Sequence, residues 1–197
     1  MTNYDYTLNV KTADIQMGIH RSFTYHRYEP TPYEALDTLF EQYEPPTKSD
    51  HVIDFGCGKG RLNFYLADRF GAQTTGIEMN EELITQANAN LTTYRGRNKQ
   101  GIELMQAKAE RYEIPHTANR FYFFNPFTID IFRNVLSNIL YSLERTYRPM
   151  EIIFYYPAAD FVYFMEEHAM FSLKLEVQLE GYEKDPNERF LVYKLSF

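Results

Sequence analysis

The sequence predicts a doubly wound α/β fold: a mostly parallel seven-stranded sheet that closes with an antiparallel C-terminal hairpin. Three observations carry this. Short apolar runs alternate with helix-period segments through the first three quarters of the chain. A loop of three glycines ends the first of those runs, and the last two runs alternate with period two around a turn-rich connection.

The chain has 197 residues, enough for one substantial core, so one domain over 1–197 is expected, with residues 1–30 as an N-terminal arm or lid. In TPYEALDTLFEQY, Thr31 is expected to cap a helix, Pro32 to fill its first position and Glu34 to complete a capping box. Leu36, Leu39, Phe40 and Tyr43 then share one face. After the linker-like EPPTKSD, HVIDF reads as a strand that runs into the glycines, and RLNFYLADRF as a helix with Leu62, Tyr65, Leu66 and Phe70 aligned.

The unit repeats. AQTTGIEM reads as a strand, Asn80 as a cap, and Leu83, Ile84, Ala87 and Leu91 as the buried face of the next helix. Alternation of this kind implies parallel strands joined by right-handed crossovers. IELMQAKAE and RFYFFN follow as buried strands with no long helix between them. Phe132, Val135, Leu136, Ile139, Leu140 and Leu143 mark a long amphipathic helix before Pro149, EIIFYYP a buried strand, and DFVYFMEEH a short helix. SLKLEVQLE and RFLVYKLSF, separated by GYEKDPNE, form the hairpin.

Composition narrows the function. There are 27 acidic and 20 basic residues, a net charge of −7, so the overall field repels a polyanion. The local basic candidates are Arg95, Arg97 and Lys99, and the His20–Arg27 segment; both read as solvated faces. One cysteine excludes an intrachain disulfide and a multi-cysteine zinc site, and the five histidines have no metal-ligand spacing, so no metal is expected. MTNYDYTLNVK lacks a leader's basic and apolar regions, and no run reaches the roughly 18 apolar residues of a membrane span. A cytoplasmic location without membrane contact is the expectation; the sequence sets no oligomeric state.

VIDFGCGKGR carries the strongest chemistry. Gly56 and Gly58 permit a tight turn with close backbone approach, and the amides that open the next helix suit an anionic group. The spacing is D-x-G-x-G-x-G, with Arg61 where a dinucleotide fingerprint has its third glycine, and Gly60 follows Lys59 where a P-loop has Ser or Thr. A nicotinamide oxidoreductase and a nucleotide triphosphatase are both disfavoured. Cys57 reads as a small loop residue, because no histidine is placed by sequence to activate it.

With GIEMN, in which Glu78 follows Gly60 by 18 residues, this stretch resembles the first two motifs of the class I S-adenosylmethionine-dependent methyltransferases. The resemblance runs from about Val52 to Phe197 and implies a Rossmann-like methyltransferase fold with S-adenosyl-L-methionine as cofactor. Carried over by position, Asp54, Gly56, Gly58 and Gly60 would hold the methionine portion, Glu78 the ribose, and Met79 the adenine. Where many members place an acidic residue against the adenine amino group this chain has Ala107-Lys108-Ala109-Glu110, which leaves Glu110 as the substitute.

YFFNPFT looks like a shortened form of the family's [DN]-P-P-[YFW] motif for amino acceptors. It implies that Asn125 and Pro126 orient an amine through their carbonyl oxygens while Phe127 stacks on the substrate. Methyl transfer to an amino nitrogen, on a small molecule or protein before a nucleic acid, is the expected function. O-methylation of a small molecule and a non-catalytic cofactor-binding or interaction module remain as alternatives. RSFTYHRYEPTPY, similar to the Y-x-P-T-P segment of some protein-directed methyltransferases, suits either a lid or a packed arm.

Overall fold

The computed structural model describes residues 4–13 and 28–196. Strands β1 (His51–Phe55), β2 (Gln73–Glu78), β3 (Ile102–Gln106), β4 (Ala118–Phe123), β5 (Glu151–Tyr155), β6 (Phe171–Gln178) and β7 (Arg189–Leu195) form one sheet in the order β3-β2-β1-β4-β5-β7-β6. The first five pair in parallel. β7 is antiparallel to both β5 and β6, so it alone runs against the rest. Strand order reverses between β1 and β4, which puts the topological switch point at their carboxyl ends.

Helices α1 (Tyr4–Leu8), α2 (Tyr33–Gln42), α3 (Arg61–Phe70), α4 (Glu81–Thr93), α5 (Ile129–Arg145) and α6 (Ala159–Glu166) accompany the sheet. Strand alternation sorts the core into two layers. Phe55, Phe123 and Phe154, in one cross-strand row, face α5, where Phe132 meets Phe123 edge-on at 5.2 Å. Val52, Tyr122 and Ile153 face the other way and join Leu36 and Leu39 of α2 and Leu62 and Leu66 of α3. Asp54 lies on this second face, since it alternates with Ile53 and Phe55.

At the amino ends of the strands Arg120 stands 3.9 Å from Asp50 and 3.7 Å from Glu151, and Lys174 lies 2.6 Å from Glu151. Tyr43 donates its hydroxyl to the same Glu151 and lies beneath both cations. These groups bind β1, β4, β5 and β6 together at the edge away from the glycine loop.

Most elements lie where the sequence puts them, and Asn80 caps α4 as expected, accepting from the amides of Glu82 and Leu83 at 2.9 and 3.2 Å. Two readings need correction, and one helix is added. Thr31 does not cap α2; its hydroxyl is 2.7 Å from that of Tyr122, and Pro32 is the capping residue without a side-chain bond. β3 is not a buried strand, because it is the outermost strand beside β2 and leaves Glu103, Met105 and Gln106 exposed. Tyr4–Leu8, which shows no periodicity long enough to read, is helical, with Tyr4 and Leu8 buried against α2 and α3.

Candidate functional site

β1 delivers Asp54 and Phe55 to the carboxyl edge, where Gly56–Gly60 turns the chain into α3. The amides of Gly56 and Cys57 both donate to the Ile77 carbonyl, at 2.8 and 3.1 Å, which fixes the loop to the end of β2. Gly56, Gly58 and Gly60 have φ of +82°, +54° and +84°, the left-handed region that glycine alone enters without strain. A Cβ on Gly56 would stand 2.5 Å from the Cβ of Pro126, and one on Gly58 2.0 Å from Cε2 of Tyr28. The glycine loop is therefore in contact with the Asn-Pro-Phe segment on one side and the N-terminal segment on the other.

Two carboxylates lie under this loop. Glu78 Oε2 accepts the Gly58 amide at 3.1 Å and Oε1 the Asn80 amide at 2.8 Å, so main-chain donors set the plane of the group. Asp54 is 5% exposed. Burial first, and the neighbouring charge of Glu78 second, push its carboxyl up to about 8. The same causes, burial first and then Asp54 and Glu78, push the Cys57 thiol well above its ordinary value and keep it neutral. Gly76 leaves room for that thiol, whose sulfur would be 2.7 Å from a Cβ there.

On the other side of β1, Phe123 ends β4 opposite Phe154 in β5. Asn125 and Tyr156 each follow that pair by two residues, so they stand level on adjacent chains. Both have positive φ, +39° and +49°, and both precede a proline. Left-handed backbone at a residue other than glycine costs on the order of 1–3 kcal/mol and persists where surrounding contacts over-determine it. For Tyr156 those contacts are an amide bond to the Arg189 carbonyl at 3.0 Å and a hydroxyl bond to Asp185 Oδ2 at 2.5 Å. That hydroxyl bond holds the Asp185 carboxyl below its usual range. Beside it Tyr155 donates to Glu188 at 3.3 Å and packs 4.5 Å from Phe124, tying the β6–β7 connection to this edge.

Phe127 departs from its expected role. Its side chain is 0% exposed, within the core under α5, and meets Phe123 edge-on at 6.1 Å. It supports the turn from beneath instead of offering a stacking face. Met79 and Glu110 stand just past β2 and β3 on the same edge as the loop, and the Glu110 carbonyl accepts from Asn138 at 3.0 Å.

Thr12 and Thr31, on either side of the segment outside the described residues, both bond Arg61, the first residue of α3. Arg61 Nε donates to Thr12 Oγ1 at 2.7 Å and Nη1 to the Thr31 carbonyl at 3.1 Å, while the guanidinium lies 4.4 Å from the Tyr33 ring centre. Tyr28 donates to the Thr12 carbonyl at 2.8 Å. The basic segment His20–Arg27 lies outside the described residues. Arg97 lies 3.8 Å from Asp68 with its side chain 75% exposed, and Lys99 donates to the Thr92 carbonyl at 2.8 Å.

Sequence reasoning missed Arg61 and Tyr156 as parts of this site, and reached Tyr28 only as the first residue of the Y-x-P-T-P segment read as a lid or a packed arm. Tyr156 had a readable sign, since YYP closes β5 as FNP closes β4, with a residue-proline pair beginning within two residues of the end of each buried strand.

A family model described as a methyltransferase domain matches residues 52–149. A ubiquinone biosynthesis O-methyltransferase of Coxiella burnetii is 37% identical over 70 residues, 34% of this chain and 30% of that protein. A protein-lysine N-methyltransferase of Saccharolobus islandicus is 35% identical over 65 residues, 32% of this chain and 40% of that protein. The chain thus spans well under half the length of either curated relative. An RNA methyltransferase from Salinibacter ruber, solved in complex with S-adenosyl-L-homocysteine, has the same fold, with a TM-score of 0.54 at 20% identity over 85% of this chain and 92% of that one.

Proposed function

We propose, for a chain that belongs to the class I S-adenosylmethionine-dependent methyltransferases, that it binds S-adenosyl-L-methionine at Gly56–Gly60 and methylates an amino nitrogen presented at Asn125 and Pro126. One observation carries the reading. The loop suited to the donor and the turn suited to the acceptor touch, since Gly56 has no room for a side chain against Pro126.

The donor supplies an activated methyl on a sulfonium sulfur, so that attack by a neutral amine forms the N–C bond as the C–S bond breaks, and the product ammonium loses its proton to water. The protein's part is to position both reactants. Asp54 lies buried where it can meet the donor's ammonium, and the amides of the first turn of α3 suit the donor's carboxylate. Glu78, with its plane fixed by two amides, can accept ribose hydroxyls. Met79 and Glu110 flank the adenine side, Met79 through packing and Glu110 through the exocyclic amine.

On the acceptor side, the amide oxygen of Asn125 and the carbonyl of Pro126 take hydrogen bonds from the amine and aim its lone pair. No strong base is needed. The left-handed backbone at Asn125 and Tyr156 supports this placement, since strained residues gather where geometry is imposed. The net charge of −7 favours a small molecule or a protein over nucleic acid as acceptor. A second reading, O-methylation of a small molecule, has support from the name of the Coxiella relative; Asn125 would then accept from a hydroxyl.

Thermal shift and isothermal titration with S-adenosylhomocysteine, with NADH as control, test the donor assignment. A ligand at 100 times its Kd stabilises the native state by about 2.7 kcal/mol. No binding of S-adenosylhomocysteine up to about millimolar concentration, where even a Kd of about 1 mM would register, sinks the reading.

A further inference from the structure

We infer that Arg61 and Tyr28 form a latch that fixes Thr12 and Thr31 against the glycine loop and so positions the donor, an inference that rests on the donor assignment above. Arg61 is placed against the ordinary logic of a helix. A cation at the first position of α3 opposes the helix dipole, and nothing in helix stability calls for it there. Its donors point away from the helix instead.

One guanidinium grips two separate stretches of chain: Nε bonds the Thr12 hydroxyl at 2.7 Å and Nη1 the Thr31 carbonyl at 3.1 Å. The Thr12 hydroxyl donates its own hydrogen bond to Asp5 Oδ1 at 2.7 Å, which also accepts from the Tyr33 hydroxyl at 2.7 Å. The bonds therefore run in one direction, from Arg61 through Thr12 to Asp5. A planar fork lying over Tyr33 makes the two bonds from two nitrogens held at a fixed spacing, which the single nitrogen of a lysine does not reproduce.

Tyr28 transmits this hold to the loop. Its hydroxyl is anchored on the Thr12 carbonyl at 2.8 Å, and its ring edge fills the space where Gly58 lacks a side chain. Lys59 Nζ lies 5.6 Å from the ring centre. Gly58 in turn donates its amide to Glu78. An unbroken series of contacts thus links Arg61, Thr12, Tyr28 and Gly58 to the carboxylate assigned to the ribose. Asn90 of α4 adds a second hold, exchanging two bonds with the main chain of Lys11 and donating to the Lys59 carbonyl. Arg61 and Tyr28 act as positioning residues through Glu78 and the loop.

The test uses the whole chain and S-adenosylhomocysteine, with Kd from titration, dissociation rate from stopped flow, and Tm without ligand. Arg61→Ala and Tyr28→Ala each weaken binding about tenfold or more, mainly through faster dissociation, as expected for loss of charge-assisted bonds. Tyr28→Phe, which keeps the ring, weakens it by less than about threefold, Arg61→Lys fails to rescue, and the double Ala variant is no worse than the weaker single one. Should Arg61→Ala fold poorly, Thr12→Val removes the shared hydroxyl and gives the same loss of affinity.

If wild type binds and the variants bind equally well with lowered Tm, the contacts are packing only and the latch is wrong. Tighter binding by Tyr28→Ala overturns it too, since Tyr28 would then obstruct the site. Absence of binding by wild type overturns the donor assignment and the latch together.

Discussion

Cofactor affinity should depend on pH through Asp54. The carboxyl is 5% exposed and pushed to about 8 by burial and then by Glu78. At pH 7 only about one molecule in eleven carries the carboxylate. An α-amino group titrates near 7.8, close to the raised carboxyl, so the carboxylate–ammonium pair is best populated near pH 8, where each group is about half charged. The product of the two charged fractions peaks near pH 8 and falls by roughly tenfold or more about two pH units to either side. Titration of S-adenosylhomocysteine across that range, repeated in buffers of different ionisation enthalpy, should show this bell and a net release of protons at about pH 7. Asp54→Asn should remove the acid limb. Affinity that stays flat between pH 6 and pH 8, or proton uptake on binding at pH 7, refutes the argument. The same shift bears on stability. A carboxyl raised from 3.8 holds its proton in the folded state, so its contribution is complete below about pH 4 and is lost as pH rises towards 8. Across that window the unliganded wild type should lose stability relative to Asp54→Asn by up to about 1.4 kcal/mol per pH unit.

Other substitutions separate positioning from packing. Gly56→Ala meets Pro126 at 2.5 Å with φ at +82° and should cost about 1–3 kcal/mol together with most of the S-adenosylhomocysteine affinity; an unchanged Tm in a melting experiment would contradict the contact. Asn125→Gly suits the φ of +39° and removes the amide oxygen, so kcat should fall while S-adenosylhomocysteine affinity stays within about twofold. A parallel loss of affinity would put Asn125 on the donor side. Phe127→Ala should cost about 3–5 kcal/mol in urea unfolding, as truncation of a 0% exposed ring does, and a loss under about 1 kcal/mol would return Phe127 to the acceptor surface. Asn80→Ala removes two cap bonds and should cost about 1 kcal/mol, with a neutral result showing that the amides of α4 find other partners.

Much of this was legible because it is local. Asn80 before an apolar-periodic run is a cap by composition alone, and Gly56, Gly58 and Gly60 announce their φ values by the absence of a side chain. Glu78 is readable because a parallel unit returns the chain to the same edge after a fixed length. What failed depends on partners far along the chain. Thr31 satisfies a local capping rule, yet its hydroxyl goes to Tyr122, 91 residues away. IELM is apolar enough for a central strand and falls at the sheet edge, which only strand order reveals. Phe127 follows a motif that in outline places it against a substrate, but the sequence does not say which way a ring after a proline turns. Tyr28 touches Gly58 across 30 residues, a contact no periodicity encodes.

One charged cluster ties the sheet at its amino edge, and the left-handed Asn125 and Tyr156 sit at the opposite edge. Asp50, Arg120, Glu151 and Lys174 join strands at the amino edge, whereas Asn125 and Tyr156 hold unfavourable backbone at the carboxyl edge. Stability and turnover are therefore open to separate engineering. Reinforcing the charged end should raise heat resistance and leave catalysis alone, while relaxing either strained residue to ordinary backbone should make a sturdier protein and a poorer enzyme.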